Sequence, residues 1–164
     1  MTGSILQINV SPSGVPKRPV PEAIVTPEGI QGDSWAHPDI HGGPNQAVLL
    51  ITSEGIDELI AQGYSVYPGA LGENLTTKGL DRRQLRVGQR YRTGEVILEL
   101  TKIRTPCTTL DLYNPSIKLA VYDAQVHAGD PSSPRWGLSG FYARVLKAGV
   151  VRPRDIIVLV VQIV

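Results

Sequence analysis

Alternating apolar and polar residues predict β-strands along much of the chain. Residues 4–10 alternate Ile, Leu and Val with polar side chains, and Val96, Leu98 and Leu100 share one face of a strand that continues to about residue 103. The same reasoning predicts further strands at residues 22–25, 47–51 and 141–146, a strand, turn and strand over residues 85–94, and a last strand at residues 156–164. That last segment is almost entirely Ile, Val and Leu, so we expect it to be buried on both faces or to close a barrel.

One clear helix is predicted between these strands. Ser53 can cap it, Ile56, Leu59 and Ile60 have the spacing of a buried stripe, and Gly63 fits the position just past its end. We expect one or two further helical turns at residues 117–122. The helices are short and the strands numerous, which favours a mainly β fold of the α+β kind.

Composition narrows the class of protein. The chain has 164 residues, which suits a single domain over residues 1–164, and its 17 glycines and 13 prolines are spread along it as turns between short elements. Sixteen basic and fifteen acidic residues give a formal charge of +1, which argues against a nucleic-acid partner or an anionic membrane surface. Without a signal-peptide pattern or a long apolar run, and with one cysteine, we expect a cytoplasmic protein.

That cysteine, Cys107, directly follows the predicted strand end. Pro106 cannot donate to a sheet, so Cys107 should lie on a loop held by a rigid scaffold. Lys102 and Arg104 precede it on alternate residues, which predicts one shared face and positive charge near the thiol or near an anionic ligand. Nearby cations favour the thiolate, the form that attacks electrophiles and binds metals. The alternative is a small buried packing residue.

Residues 30–46 form a long segment with little periodicity and much polar chemistry. Gly42 and Gly43 permit close backbone approach to a ligand, and their N–H groups could receive an anion. His37 and His41 have the spacing of a helical zinc pair, but Pro38 and the two glycines make a helix improbable there.

Two other places carry candidate chemistry. Lys17 and Arg18 lie in a predicted loop, where they could meet an anion or simply be solvated. Asn74 can donate and accept hydrogen bonds to a heterocycle, whereas for Glu73 we favour the structural alternative of tying down its loop.

Several stretches together resemble the MOSC family, named from the C-terminal domain of molybdenum cofactor sulfurases. The resemblance spans about residues 5–157 and is strong because the motifs keep their order and spacing. They are Gly32-Asp33 with His41-Gly42-Gly43 and Ala47-Val48, then Gly69-x-x-Gly72-Glu73-Asn74-Leu75-Thr76-Thr77-x-Gly79-Leu80, Arg104-x-Pro106-Cys107, and Gly140-x-Tyr142-x-Arg144-Val145 followed by Gly149-x-Val151.

This resemblance implies a mainly β, barrel-like fold with a few short helices that holds a molybdenum cofactor of the molybdopterin type. It implies that Cys107 is the protein ligand to molybdenum and that the activity is reduction of N-hydroxylated compounds. His41 or Asp33 would deliver a proton to the leaving oxygen, or alternatively fix the long loop. The expected contacts to the pterin and its phosphate are Gly42, Gly43, Asn74, Lys102, Arg104 and Arg144. Pyridoxal phosphate is an alternative ligand suggested by the same resemblance.

The chain also departs from the family pattern. Arg154-Asp155 stands where the family commonly has Gly-Asp before the last strand. There is no room for the helical extension or the ferredoxin-like domain of some reductase members, so we expect a separate flavin or iron–sulfur electron donor. Two alternatives remain open: a non-catalytic carrier of a persulfide or of the cofactor, served by a sulfur or cofactor donor, and a metal-free thiol protein that reacts with peroxide.

Overall fold

A computed structural model describes residues 1–34 and 42–161, and strands account for most of its regular structure. In chain order the strands are β1 Thr2–Val10, β2 Arg18–Val20, β3 Ala23–Thr26, β4 Gly29–Ile30, β5 Val48–Thr52, β6 Leu75–Lys78, β7 Arg90–Thr93, β8 Val96–Ile103, β9 Phe141–Lys147, β10 Gly149–Val151 and β11 Ile156–Val161. The prediction of a mainly β fold is confirmed.

The described helices are short and lie in the connections between strands. They are α1 Ser53–Ala61, α2 Ile117–Val121 and α3 Ala124–His127, with 3₁₀ helices at Pro44–Gln46, Arg82–Gln84 and Thr108–Tyr113. Among the described helices, none has both the length and the apolar character needed to cross a bilayer.

Seven strands close into a barrel, in the order β11-β7-β8-β9-β5-β6-β1, because β1 also pairs with β11. The β5–β6 pair is parallel and the other pairs are antiparallel, so the barrel is mixed. β2 adds to the free part of β1, and β10, β3 and β4 form a separate three-stranded sheet. Closure leaves few exposed strand edges, which protects a β-rich chain from edge-to-edge association.

The barrel interior follows from the alternation along each strand. In β8, Val96, Leu98 and Leu100 are buried in the barrel core, while the residues between them face outward. A second apolar cluster lies outside the barrel, where Ile56 and Leu59 of α1 pack with Ile117 and Val121 of α2.

The helix after β5 forms where predicted, with two corrections. Its cap is Thr52, not Ser53, because the Thr52 hydroxyl accepts a hydrogen bond from the Gly55 N–H at 3.1 Å. Ile60 is 48% exposed, so the buried stripe consists of Ile56 and Leu59 without it.

One strand prediction is confirmed and another needs correction. β11 closes the barrel, which is one of the two alternatives predicted for it; the other alternative, burial on both faces, does not hold, because Ile156 is 64% exposed and Val160 45% exposed. Residues 162–164, the end of the predicted strand, lie outside the described residues. The segment 85–94 contains one strand only, β7, because Leu85 follows a 3₁₀ helix and the Val87-Gly88 turn intervenes.

The turn before β11 keeps an unusual backbone despite its altered sequence. Arg154 has φ 76°, in the left-handed region that favours the glycine common in the family at this place. Its N–H donates to the Ile5 carbonyl at 2.7 Å, which fixes the start of β11 beside β1.

Candidate functional site

One pocket lies on the outer surface of the barrel, over the directly paired residues Leu49 of β5 and Tyr142 of β9. We call it the Arg104 pocket. Its volume, including the open mouth, is about 480 Å³. Five separate segments between strands form its walls. The described lining residues are Gly14, Val15, Lys17, Ser34, Gln46, Leu49, Gly72, Asn74, Arg104, Thr109 and Tyr142.

A buried ion pair forms one wall of this pocket. The Lys17 ammonium lies 2.5 Å from Asp33 Oδ2, and both side chains are almost fully buried. Asp33 also accepts hydrogen bonds from the Ser11 N–H at 2.9 Å and from the Asn74 amide at 2.8 Å. Burial lowers the pKa of Lys17 from its ordinary value, and the neighbouring Asp33 carboxylate opposes that change. The predicted proton donor Asp33 is therefore engaged on both oxygens by donors that hold the loop together.

Asn74 ties this ion pair to the barrel. Its side-chain oxygen accepts from the Leu49 N–H at 3.0 Å, and its amide donates both to Asp33 and to the Asn9 carbonyl at 3.3 Å. Both amide hydrogens are thus used inside the protein. Asn74 lines the pocket as predicted, but only its oxygen has capacity left for a ligand.

The turn before Asn74 is held by Glu73. Its Oε1 accepts from the Gly69 N–H at 2.6 Å and from the Thr76 hydroxyl at 2.9 Å, which bears out the structural role that the sequence favoured. Burial raises the pKa of Glu73 above its ordinary value, while the Gly69 and Thr76 hydrogen bonds and the Arg104 charge oppose the rise. Glu73 therefore shapes the pocket from behind its wall.

A side chain at Gly69, in the same turn, is expected to disturb this wall of the pocket. Gly69 has φ 95°, and an added Cβ would overlap the Lys17 carbonyl oxygen, so we expect Gly69→Ala to displace the Lys17 loop. We expect a loss of about 3 kcal/mol or more in the free energy of unfolding, measured with urea. Gly63→Ala is the matched control, because Gly63 has φ 98° with nothing near its Cβ position, and should lose about 1 kcal/mol. Equal losses in the two variants would show that backbone strain alone matters at Gly69.

Arg104 supplies an unsatisfied cationic donor to the pocket. The residue is 4% exposed, its Nη1 donates to the Leu71 carbonyl at 2.7 Å, and its backbone N–H donates to the Gly140 carbonyl at 2.9 Å. Among the described residues its Nε has no hydrogen-bond partner. A buried charged donor without a partner is costly, so this nitrogen marks a place where an anionic ligand group would be stabilised.

Cys107 lies beside the same pocket. It directly precedes the 3₁₀ helix Thr108–Tyr113, is half-buried, and its Sγ is 2.8 Å from the hydroxyl of Thr109, a lining residue. Burial raises the pKa of Tyr142, with Arg104 opposing and Cys107 reinforcing the rise, which places thiol, guanidinium and phenol in one electrostatic neighbourhood. The prediction that Cys107 lies on a loop just past a strand is confirmed.

Lys102 and Arg144 lie away from this pocket, against a neighbouring groove. The groove, called here the Arg144 groove, measures about 660 Å³ and is lined by Asn45, Val87, Gly88, Glu99, Leu100, Thr101, Lys102 and Arg144. Lys102 is exposed whereas Arg104 is buried, and a register shift between Leu100 and Lys102 interrupts the alternation. After the shift, Lys102 pairs with Tyr142, and Ile103 faces the barrel core opposite Phe141. Lys102 and Arg104 therefore flank a core-facing residue and share the outer face, as predicted. The predicted cofactor contacts of Lys102 and Arg144 stay predictions.

The segment before β5 is described only in part. His41 lies outside the described residues, as does His37. Gly42 and Gly43 have φ 89° and 85°, and Gly43 directly precedes the 3₁₀ helix Pro44–Gln46. Neither glycine lines the Arg104 pocket, although Gln46 does.

Sequence reasoning missed several residues of this pocket. Its loop position favours a solvated Lys17, yet Lys17 is only 5% exposed and forms an ion pair with Asp33. Thr109, Ser34 and Gln46 carried no signal of their own. Within residues 1–34 and 42–161, no group of three or more His, Cys, Asp or Glu side chains could hold a metal ion, so any metal here would need ligands from elsewhere, such as a cofactor.

Comparison with known proteins identifies relatives along most of the chain. The family model described as "MOSC domain" matches residues 37–158. An uncharacterized Bacillus subtilis protein, YflK, is 32% identical over 145 residues, covering 86% of this chain and 60% of the relative. Escherichia coli YiiM is 32% identical over 107 residues, covering 62% of this chain and 48% of the relative. The chain thus spans only about half to three fifths of the length of these two relatives.

Solved structures show the same fold. YiiM from Geobacillus stearothermophilus superposes with a TM-score of 0.73 at 26% identity, covering 98% of this chain and 76% of that one. Bacillus subtilis YuaD superposes with a TM-score of 0.71 at 18% identity, covering 96% and 94%, and this likeness shows the fold alone. The fold is thus shared with proteins of low sequence identity.

Proposed function

This chain belongs to the MOSC domain family, and from that premise we propose that it binds a molybdenum cofactor in the Arg104 pocket and reduces N-hydroxylated substrates. The observation that carries the proposal is the buried Arg104 guanidinium, whose Nε is unpaired among the described residues, beside the only cysteine of the chain. A cationic donor and a thiol are what a phosphorylated pterin and its metal require of a protein.

The chemistry of the described residues supports this proposal. Arg104 would donate to the cofactor's phosphate or to another anionic part of it. Cys107 would provide the thiolate ligand to molybdenum, a soft donor suited to that metal. Lys17 is already neutralised by Asp33, so its contribution to an anionic ligand would be weaker than that of Arg104. Asn74 would offer its carbonyl oxygen to a pterin N–H.

The overall reaction balances as R–NH–OH plus two electrons and two protons, giving R–NH₂ and water. When bound, the cofactor would supply the two-electron oxidation–reduction that breaks the N–O bond. The chain's own task is to hold that group, exclude bulk water and move protons. Tyr142 lines the pocket, and burial raises the pKa of its phenol, so the ring faces the pocket as an uncharged group. The proton-donating role of His41 stays a prediction.

Metal and pterin analysis tests the binding half of the proposal. The protein is made in a host that synthesises the cofactor, and molybdenum and pterin are measured per chain. We expect roughly one of each per chain, as one pocket and one thiol imply. Absence of both would overturn the proposal.

A turnover assay tests the catalytic half. N-hydroxylated purines and amidoximes are supplied with methyl viologen radical as a small electron donor, so that no protein partner is needed. We expect reduction to the amine or amidine by the loaded protein only. A loaded protein without turnover, carrying a persulfide on Cys107 by mass spectrometry, would instead favour the carrier function.

A further inference from the structure

The outer face of β7, β8 and β9 carries a concentrated positive charge. Glu99 and Glu95 are its only carboxylates among the described residues, whereas its cations are Arg90, Arg92, Lys102, Arg144 and Lys147. Five cations against two carboxylates give this face a net charge of +3, although the whole sequence carries +1. The rest of the chain is therefore acidic on balance, and the cations are collected on one side.

Strand register explains how these cations form a continuous surface. Arg90 and Arg144 lie opposite Glu99 and share its two oxygens at 2.6 Å each, so one carboxylate serves two guanidiniums. One row further along, Arg92 and Lys147 flank Ile97, and neither forms an ion pair within the described residues. We call this surface, from Lys102 to Arg92 and Lys147, the basic face.

The basic face borders the Arg104 pocket. Tyr142 lines the pocket, and the Lys102 ammonium lies 5.5 Å from the centre of its ring. Arg144 is two residues beyond Tyr142 on the same outer side of β9. Asn45 lines the Arg144 groove while its neighbour Gln46 lines the pocket. A single layer of side chains thus separates the two sites.

The extent of the basic face decides what kind of ligand it suits. From Tyr142 to Lys147 the strand rises about 16 Å at about 3.3 Å per residue, more than one small anion can span. A protein surface of matching negative charge would meet all of the cations together. The exposed apolar residue Val87, at 48% exposure beside the groove, suits a transient protein contact better than a phosphate cage.

We propose that the basic face docks an acidic one-electron carrier protein, of the flavodoxin or ferredoxin kind, that supplies electrons to the group held in the Arg104 pocket. This inference rests on the proposed function, which requires two electrons per substrate and therefore two successive one-electron deliveries. Docking here places the carrier's flavin or iron–sulfur cluster one side-chain layer from the pocket. Electrostatic complementarity of this kind acts mainly on the association rate and weakens with salt.

Charge reversal on the basic face tests the inference. Arg92→Glu, Lys147→Glu and the double variant are compared with Lys78→Glu, an exposed residue of β6 elsewhere on the barrel that changes the net charge by the same amount as each single variant. With a reduced acidic flavodoxin as donor, we expect each single variant to raise the KM for the donor roughly fivefold and the double variant further, because rim charges govern association. We expect Lys78→Glu to stay within about twofold. Turnover driven by methyl viologen radical should be unchanged in all variants, since neither Arg92 nor Lys147 lines the Arg104 pocket.

Three results would overturn the inference. The first is an equal donor KM in Arg92→Glu and Lys78→Glu. The second is a donor KM in the wild type that does not rise with sodium chloride. The third is competition between inorganic phosphate and the flavodoxin at constant ionic strength, which would make the groove a small-anion site.

Failure of the proposed function can be told apart from failure of this inference. If the wild type has no turnover with methyl viologen radical, the proposed function fails. Docking is then measured directly, by calorimetric titration with the flavodoxin at low salt. Salt-sensitive binding that Arg92→Glu and Lys147→Glu weaken, and Lys78→Glu does not, supports the basic face as a carrier surface. No binding by the wild type overturns it.

Discussion

Cys107→Ser is expected to abolish molybdenum binding while leaving the fold intact. The thiol is half-buried and its Sγ lies 2.8 Å from the Thr109 hydroxyl, a hydrogen bond that serine can also make in a side chain of the same shape. The backbone hydrogen bond from the Leu110 N–H to the Cys107 carbonyl, at 3.2 Å, does not depend on the side chain. The substitution removes the thiolate that we propose as the ligand to molybdenum, and a serine hydroxyl is a poor substitute for a soft donor. We expect molybdenum to fall from roughly one per chain to background, and turnover with it.

Three measurements together make this result specific to metal ligation. Urea unfolding should change by less than about 1 kcal/mol, as expected for a substitution at a half-buried loop position. Pterin content should fall less than molybdenum, because Arg104 and Asn74 still line the pocket. Thr109→Val is the matched control: it removes the hydroxyl beside the thiol and keeps the thiol, so it should retain molybdenum. Full molybdenum content and turnover in Cys107→Ser would exclude Cys107 as the ligand.

The place of Cys107 could be predicted because its causes are local. Apolar alternation in β8 and a proline without an N–H determine where the strand ends, and both are visible in the residues themselves. The barrel was predicted from the resemblance to the MOSC family, because several motifs in the same order and spacing indicate the same fold. The same local reasoning misplaced the helix cap by one residue, because Thr52 and Ser53 have equivalent side chains and only the backbone geometry distinguishes them.

The pocket's electrostatics could not be predicted because they depend on distant pairs. Lys17 lies in a loop, where a cation is usually solvated. In the folded chain, however, the Asp33 carboxylate contacts its ammonium, and the Asn74 amide donates a hydrogen bond to that carboxylate. Lys102 and Arg104 share a face as predicted, but the side on which that face lies could not be predicted. Alternation from Val96, Leu98 and Leu100 would turn both towards the core, whereas a register shift between Leu100 and Lys102 turns them outward. Alternation holds only while a strand stays regular.

Asp33→Asn is expected to destabilise the protein strongly. The substitution removes the carboxylate that neutralises a Lys17 ammonium with 5% of its side chain exposed, and it sets a new amide beside two donors, Lys17 and Asn74. Leaving a buried charge without its partner typically costs about 3–5 kcal/mol, which urea unfolding would measure directly. Glu22→Gln is the control, because the Glu22–Arg152 pair is exposed on both sides and should change stability by less than about 1 kcal/mol.

A second substitution and the pH dependence show whether the buried charge is the cause. Lys17→Met added to Asp33→Asn removes that charge, so the double variant should be more stable than Asp33→Asn alone; a double variant as unstable as the single one would contradict this explanation. Burial lowers the pKa of Lys17 in the folded protein below its ordinary value of 10.5. Between these two pKa values the unfolded chain binds more protons, so stability rises with pH in that range. Asp33→Asn removes the interaction that opposes the lowering. Its stability should therefore recover towards pH 10 more steeply than that of the wild type, whereas a pH-independent deficit would place the damage in the hydrogen bonds to Ser11 and Asn74.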